Sequence, residues 1–252
     1  MKFAITPCPN DTFSYEALIS KKIKSDFDFV FSDIEELNIS AEKGEYPITK
    51  LSFPAYLRNA DKYELMDAGA ALGIGTGPVL VSKVGTNFDV AKPVIVPGIN
   101  TTATLLLKFY AGKNLKLIPA YFRDISRLLS EGVADSGVLI HEGRFVYESE
   151  GLNLSADLGS YWTEKTGLPV PLGCICIRKD FAHLRKNTEM LIRESIKAGF
   201  DNPEAIYPYV ASMAQYLASD VLQKHIFAFV NDYSYDISSI RNDLLEHLIS
   251  CM

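Results

Sequence analysis

The chain has 252 residues, of which 48% are hydrophobic and 22% are charged, as in a globular protein with ample core. Its formal net charge is −6 and it has no dense basic run, which argues against nucleic acid and anionic membranes as partners. An anionic ligand would therefore be bound by local groups: helix N-termini, hydroxyls and a few lysines or arginines.

The first residues contain neither a long apolar region nor a small-residue cleavage site, so we expect no secretory signal. No window reaches the roughly 20 apolar residues that span a bilayer. We therefore expect a cytoplasmic protein whose four cysteines are reduced. The cysteine spacing, the lack of H-E-x-x-H and the poor fit of residues 68–77 to G-x-G-x-x-G predict no metal and no cofactor.

Short apolar runs alternate with amphipathic stretches, which predicts strands alternating with helices. The predicted strands are 2–6, 27–31, 47–51, 78–83, 93–96, 115–119 and 134–140. The predicted helical stretches are 12–19, 34–43, 54–59, 101–110 and 122–131, and helical periodicity dominates residues 181–252. Asn10 or Asp11 is the predicted N-cap of the first helix.

This alternation predicts an α/β protein with mostly parallel sheets. Two apolar crossover strands, near residues 80–86 and 170–178, indicate a discontinuous arrangement. Residues 1–86 together with 175–252 would form one α/β domain, and residues 87–174 would form an inserted α/β domain. A cleft would lie between the two domains. This layout resembles the type II periplasmic-binding-protein architecture.

The predicted strand that ends at Ile140 is followed directly by His141. In open α/β sheets, ligands bind beyond the carboxyl ends of the strands, and histidine titrates near neutrality. His141 is therefore a candidate proton-transfer group; the alternative is a histidine that hydrogen-bonds to loop backbone. The remaining histidines lie in helical, charged surroundings and are predicted at the surface: His183, His225 and His247.

Three predicted strand-to-helix joints, at residues 8–12, 52–54 and 100–103, carry small polar side chains. The free N–H groups of a helix's first turn can bind a carboxylate or a phosphate. Thr101 and Thr102 could bind a carboxylate in a bidentate manner, through their hydroxyls and backbone N–H groups together. Ordinary N-capping is the alternative at each joint. Because parallel strands deliver their carboxyl ends to one edge, we expect the three joints to face one cleft.

Two charged residues near these joints are candidate ligand contacts. Lys50 precedes Ser52 by two residues, so both lie on one face of the strand and the ammonium can reach a bound anion. A solvated lysine is the alternative. Arg144 can pair with a ligand carboxylate or with its neighbour Glu142.

The first joint contains three further candidates. Asn10 and Asp11 can contact the ligand, and Asp11 can also orient a histidine. Cys8 is a possible nucleophile beside a helix N-terminus, where the pKa of a thiol falls. The alternative is that its flanking prolines simply fix the shape of the loop.

Five segments of the chain, in order and at the expected separations, resemble the 1,4-dihydroxy-6-naphthoate synthase family of the futalosine route to menaquinone. They are TPCPNDTF (6–13), KLSF (50–53), GPVLV (77–81), NTTA (100–103) and IHEGRF (140–145). The chain has Thr6 where the family usually has serine, and Val146 where it more often has threonine. Neither change touches the expected proton-transfer group.

The resemblance implies a carbon–carbon lyase that converts cyclic dehypoxanthine futalosine, a small-molecule carboxylate, to 1,4-dihydroxy-6-naphthoate and releases a three-carbon fragment. His141 matches the family's proton acceptor. The family's substrate contacts match the 50–52 segment, Lys50, Leu51 and Ser52, and the pair Thr101 and Thr102. The alternatives are the chorismate dehydratase of the same pathway and a non-catalytic carboxylate-binding protein on the same fold. The oligomeric state is left open.

Overall fold

The computed structural model describes residues 1–214 and 219–252, apart from the side chains of Glu142 and of residues 219–220. The strands are β1 (Lys2–Ile5), β2 (Asp28–Phe31), β3 (Ile48–Ser52), β4 (Tyr63–Leu65), β5 (Ala71–Gly73), β6 (Val79–Lys83), β7 (Val94–Val96), β8 (Leu117–Pro119), β9 (Ser136–Leu139), β10 (Leu152–Asp157) and β11 (Val170–Arg178).

The helices follow the predicted order, with one addition, α6, that the sequence pattern missed. They are α1 (Pro9–Ile19), α2 (Ile34–Glu42), α3 (Phe53–Arg58), α4 (Thr102–Ala111), α5 (Ile125–Ser130), α6 (Leu158–Thr166), α7 (Arg185–Asp201), α8 (Tyr207–Met213), α9 (Ser219–Phe229), α10 (Asp232–Tyr235) and α11 (Arg241–Cys251). Residues 215–218, inside the predicted helical region, lie outside the described residues. None of the helices described is both long and apolar enough to cross a membrane.

The strands form two sheets. One has the order β2-β1-β3-β11-β4 with β5 also beside β11, and the other has the order β10-β6-β9-β7-β8. Among the strand pairs of the described residues, four are parallel and five are antiparallel. The expectation of mostly parallel sheets is therefore corrected to mixed sheets. The antiparallel pairs arise because β6 and β11 run against β9 and β3 where the chain passes between sheets.

Sheet membership also differs from the predicted division of the chain. Strand β6, expected in the first domain, pairs within the second sheet, and all of β11 pairs within the first. The change of sheet thus falls at residues 74–78 and 167–169, between the neighbouring elements. The boundary predicted at 86 lies after β6, and the boundary predicted at 175 lies inside β11, so neither coincides with a change of sheet.

One core cluster of buried side chains includes residues from both sheets. Leu51 and Cys174 of the first sheet and Leu80 and Val138 of the second belong to it, together with the fully buried Trp162 of α6. Burial of apolar area contributes roughly 25 cal/mol per Å², so this shared core stabilises the contact between the two sheets. The cleft between them is therefore built on a common base.

Helix α1 starts earlier than the sequence pattern predicts. Cys8 is its N-cap residue and Pro9 occupies the first helical position, where a missing N–H costs nothing. The predicted N-cap at Asn10 or Asp11 was therefore wrong. Both residues lie in the first turn and are buried. Because the helix begins earlier, their side chains do not cap it and instead contact neighbouring elements.

The linker after β5 and the start of α6 touch through two glycines. A Cβ added at Gly159 would lie 2.5 Å from the backbone nitrogen of Gly77, and a Cβ at Gly77 would lie 2.8 Å from Gly159 Cα. Backbone cannot move aside as a flexible side chain can. Any larger residue at either position would push α6 away from the linker that leads into the second sheet.

We predict that Gly159→Ala lowers the free energy of unfolding by about 1–3 kcal/mol, as overpacking does. Alanine has a higher helix propensity than glycine, so helix propensity by itself would raise the free energy of unfolding. A lower free energy of unfolding would therefore be due to the steric clash. Gly143→Ala is the control, because its Cβ would meet Leu139 Cβ at an ordinary 3.6 Å. Denaturant unfolding of both variants measures the effect; equal midpoints would contradict the clash.

Candidate active site

A cleft lies between the two sheets, beyond the ends of β1, β3, β7 and β9. It encloses about 620 Å³ of space between atoms, with its open mouth included. Seven residues carry polar side chains into its lining: Thr6, Asn10, Lys50, Ser52, Thr101, Thr102 and His141; His225 and several apolar residues complete the wall. All three predicted joints thus contribute residues to one cleft.

His141 follows β9 and begins a short 3₁₀ turn in a backbone conformation that is unusual for its residue type. Its φ is +54°, in the left-handed region. Strained backbone of this kind concentrates at functional sites and costs on the order of 1–3 kcal/mol. The conformation places the imidazole 4.7 Å from the Phe122 ring, centroid to centroid, and its Nε2 lies 3.6 Å from Cys8 Sγ.

The surroundings of His141 keep its imidazole neutral. Burial, followed by the positive charges of Lys50 and Arg123, lowers the pKa of His141 from 6.5 to about 3. A neutral imidazole can accept a proton, whereas an imidazolium cannot. A ligand carboxylate between these cations would offset their charge and make the imidazole more basic.

Lys50 forms a buried ion pair with Asp11, with Nζ 2.5 Å from Oδ1. The same carboxylate accepts hydrogen bonds from the Thr6 hydroxyl at 2.5 Å, the Thr6 N–H at 3.2 Å and Asn10 Nδ2 at 2.8 Å. Asp11 is thereby saturated with donors and does not line the cleft, whereas Lys50 and Asn10 do. Asp11 holds these two ligand-facing groups in place.

The Thr101–Thr102 joint combines capping with an unpaired set of two backbone donors. Thr101 is the N-cap of α4 and accepts a hydrogen bond from Thr104 N–H at 3.3 Å. The Thr102 hydroxyl donates to the carbonyls of Pro171 and Leu172 at 2.8 and 2.9 Å. The N–H groups of Thr102 and Ala103 have no partner among the described residues, and both residues line the cleft. These two donors suit a carboxylate.

Ser52 ends β3 and is fixed by the side chain of Asn38. Its N–H donates to Asn38 Oδ1 at 2.9 Å, and its hydroxyl oxygen accepts from Asn38 Nδ2 at 3.1 Å. The hydroxyl hydrogen has no acceptor among the described residues. It is therefore available to a ligand oxygen in the cleft.

Glu35 of α2 connects the two walls of the cleft. Its carboxylate accepts from the backbone N–H of Asn100 at 3.0 Å and from Asn100 Nδ2 at 3.1 Å. Asn38 Nδ2 also donates to Glu35, at 3.2 Å, and Arg58 donates to Asn100 Oδ1 at 2.8 Å. The Ser52 wall and the loop that precedes Thr101 are therefore joined through one carboxylate.

Some predicted ligand contacts lie elsewhere. The Leu51 side chain is fully buried in the core and does not reach the cleft, because alternate strand residues face opposite sides. Arg144 donates to the Gly77 carbonyl and pairs with Asp157 at 3.1 Å, so it braces the second sheet. Its alternative partner, the Glu142 side chain, is outside the described residues. Cys8 contacts His141 without lining the cleft.

His225 was predicted at the surface, and this was wrong. Its side chain is 1% exposed and lines the cleft beside Phe229. The sequence does contain a signal for burial, because His225 lies three residues after Leu222 and four before Phe229, on the apolar face of α9. The charged residue Lys224 directly before it made the segment look solvent-exposed in the sequence. Thr6 was also missed as a cleft residue.

Within residues 1–214 and 219–252, no group of three or more histidine, cysteine, aspartate or glutamate side chains could hold a metal ion. Cys174 and Cys176 are fully buried, and their sulfurs lie 3.7 Å apart as free thiols. The described donors of the cleft, which include Lys50, Ser52 and the N–H groups at Thr102 and Ala103, are suited to an anion.

Comparison with known proteins gives one family for almost the whole chain. The family model described as menaquinone biosynthesis matches residues 1–251. A 1,4-dihydroxy-6-naphtoate synthase of Thermus thermophilus is 37% identical over 240 residues, covering 94% of this chain and 88% of that protein. A 1,4-dihydroxy-6-naphtoate synthase of Streptomyces coelicolor is 34% identical over 245 residues, covering 94% and 87%.

Solved structures agree with the fold. A crystal structure of a protein from Archaeoglobus fulgidus matches with a TM-score of 0.94 and 33% identity, covering 99% of this chain and 95% of that chain. The periplasmic aliphatic sulphonate binding protein of Escherichia coli matches with a TM-score of 0.65 and 11% identity, covering 99% and 86%. The predicted two-domain, binding-protein-like α/β fold is confirmed.

We predict that Asp11→Asn lowers the free energy of unfolding by about 3–5 kcal/mol, because it leaves the Lys50 ammonium buried without a counter-charge. The double variant Asp11→Asn with Lys50→Met is the control and should recover much of the loss. Urea unfolding of the three proteins measures both effects. An Asp11→Asn variant as stable as wild type would show that Lys50 needs no carboxylate.

We also predict a loss of stability as the pH falls from 6.5 towards 3. In this window the unfolded chain protonates His141 and the folded chain does not, so protons favour unfolding. His141→Asn removes this titration and keeps a residue that tolerates a left-handed backbone. Its unfolding midpoint should fall less with acid than that of wild type, and parallel curves would refute the assignment.

Proposed function

The chain belongs to the menaquinone biosynthesis family and is an enzyme; on that premise we propose that it is a lyase acting on cyclic dehypoxanthine futalosine. The proposed products are 1,4-dihydroxy-6-naphthoate and a three-carbon fragment. The names of the Thermus thermophilus and Streptomyces coelicolor relatives support this reaction. The five sequence segments that resemble the synthase family agree with these relatives. A cytoplasmic location stays a prediction of the sequence.

The observation that carries the proposal is the placement of His141. A left-handed backbone holds a neutral imidazole at the end of β9, in a cleft that also contains unpaired helix N–H groups and the Lys50 ammonium. A protein that only binds a carboxylate needs hydrogen-bond donors such as the helix N–H groups and Lys50, but it does not need a histidine in a strained backbone conformation. A base beside an anion site suits proton abstraction from a bound carboxylate substrate.

In the proposed mechanism, the substrate carboxylate binds the N–H groups of Thr102 and Ala103, with the Ser52 hydroxyl and Lys50 as further donors. Helix N–H groups favour an anion by up to about 2 kcal/mol when partly buried. The bound negative charge offsets the cations that depress the pKa of His141, so binding makes the base stronger. The negative charge of the bound substrate thus raises the pKa of the base that acts on it.

His141 then removes a proton from a hydroxyl or carbon of the sugar-derived ring. The electron pair left by that proton forms a new double bond while the carbon–carbon bond breaks, and the pair of the broken bond passes to the other fragment, which takes the proton back from the imidazolium. The three-carbon fragment leaves, and the remaining ring becomes aromatic. Aromatisation drives the reaction forward. A positioned base supplies roughly 10²–10⁴-fold of rate, and alignment of the substrate between the two walls supplies more. Cys8, beside His141, limits the positions that the imidazole can take.

The test is to incubate the purified protein with cyclic dehypoxanthine futalosine and follow naphthoate formation by absorbance and mass. A parallel incubation with chorismate tests the dehydratase of the same pathway. Naphthoate formed from the first compound supports the proposal. Turnover of chorismate alone would replace it with the dehydratase, and tight binding of the futalosine derivative without any product would indicate a binding protein.

We predict that His141→Asn lowers kcat about 10²–10⁴-fold and leaves substrate binding nearly unchanged. The backbone conformation tolerates asparagine, so the loss reports the base and not the fold. His183→Asn, an exposed histidine, is the matched control and should keep wild-type activity. Turnover and calorimetric binding of both variants measure the effects. Near-normal kcat in His141→Asn would exclude His141 as the base.

A further inference from the structure

The cleft contains a second imidazole, His225 of α9, that the mechanism above does not use. Its ring stacks with that of His141, with centroids 6.1 Å apart and planes at 26°, and packs edge-on against Phe229 at 4.9 Å. The side chain is 1% exposed. Its Nε2 lies 3.0 Å from Oδ1 of Asn10, which lines the same cleft.

The direction of the hydrogen bonds around Asn10 is fixed by Asp11. A carboxylate only accepts hydrogen bonds, so Asn10 directs its amide nitrogen to Asp11, at 2.8 Å. Its amide oxygen therefore faces His225 and requires a donor. The proton of the His225 ring must lie on Nε2, and the hydrogen-bond chain runs from His225 through Asn10 to the Asp11–Lys50 ion pair.

The other ring nitrogen of His225 makes a simple packing role a poor explanation. Nδ1 is buried and has no hydrogen-bond partner among the described residues. Burial, then the electrostatic effects of the neighbouring His141 and of Lys50, hold the pKa of His225 well below its usual value, so the ring stays neutral and Nδ1 carries no proton. A buried acceptor without a donor costs free energy that an apolar side chain would not. The hydrogen bond from Nε2 to Asn10 Oδ1 is the contribution of His225 that an apolar side chain could not make.

We propose that His225 is a positioning residue that fixes the Asn10 amide so that the second N–H of Asn10 Nδ2 is held for an oxygen of the substrate. Asn10 Nδ2 carries two hydrogens, and the structure gives an acceptor for one of them, Asp11. With its oxygen bound by His225, the amide cannot turn over. The inference rests on the proposed function, since it assigns a further donor to the same substrate.

Two variants separate the nitrogens of His225. In His225→Gln the terminal amide lies near the position of Nε2, so it can still donate to Asn10. In His225→Asn the shorter amide lies near Nδ1 and cannot reach Asn10. His225→Phe keeps an aromatic ring in the stack and removes both nitrogens. Steady-state turnover of cyclic dehypoxanthine futalosine and thermal unfolding are measured for all three variants and wild type.

We expect His225→Gln to retain kcat/KM within about twofold, and His225→Asn and His225→Phe to lose about tenfold, the effect of one misdirected hydrogen bond. His225→Phe removes the unpaired Nδ1 but also takes the donor away from Asn10 Oδ1, so its unfolding temperature should stay close to that of wild type. Full activity in His225→Phe, or activity retained in His225→Asn and lost in His225→Gln, would overturn the inference. A wild-type protein without turnover would refute the proposed function, and this inference with it.

Discussion

The buried ion pair between Lys50 and Asp11 is the interaction on which the rest of the cleft depends. It joins the end of β3 to the first turn of α1 and neutralises the two buried charges. Because Asp11 also binds Thr6 and Asn10, a single carboxylate orients side chains from three parts of the first domain. Burial is the main cause that lowers the pKa of His141 and His225, and the ammonium of Lys50 lowers both further, so this pair contributes to both the shape and the protonation of the site.

The topology explains why this pair can face the residues of the second sheet. The chain passes between the sheets at two linkers, and the long strand β11 then lies against β3. There Gly173 is opposite Ser52, and a Cβ at Gly173 would lie 2.8 Å from Lys50 Cε. A glycine at this position leaves the space that the lysine stem occupies. The antiparallel pairing of β11 with β3 therefore provides the space in which the Lys50 side chain packs.

Local sequence pattern was sufficient for most elements and for the edge at which the site forms. Strand-to-helix joints at Ser52 and Thr101 could be predicted because parallel strands end together, and His141 because it follows an apolar run. Strands β4, β5 and β10 and helix α6 were missed, since β4 and β5 have only three residues each and half-exposed segments such as Leu152–Asp157 lack clear periodicity. Antiparallel pairing of β6 and β11 depends on distant partners. The burial of His225 required knowing what packs on α9.

The carboxylate of Glu35 joins the two walls of the cleft at one point. It holds the loop before α4 against α2, while the polar lining residues Lys50, Ser52 and Thr102 are each less than 5% exposed. A movement that separates the walls here has to break the hydrogen bonds from Asn100 to Glu35. The width of the cleft beside the Thr101–Thr102 joint is therefore coupled to a single side chain of α2.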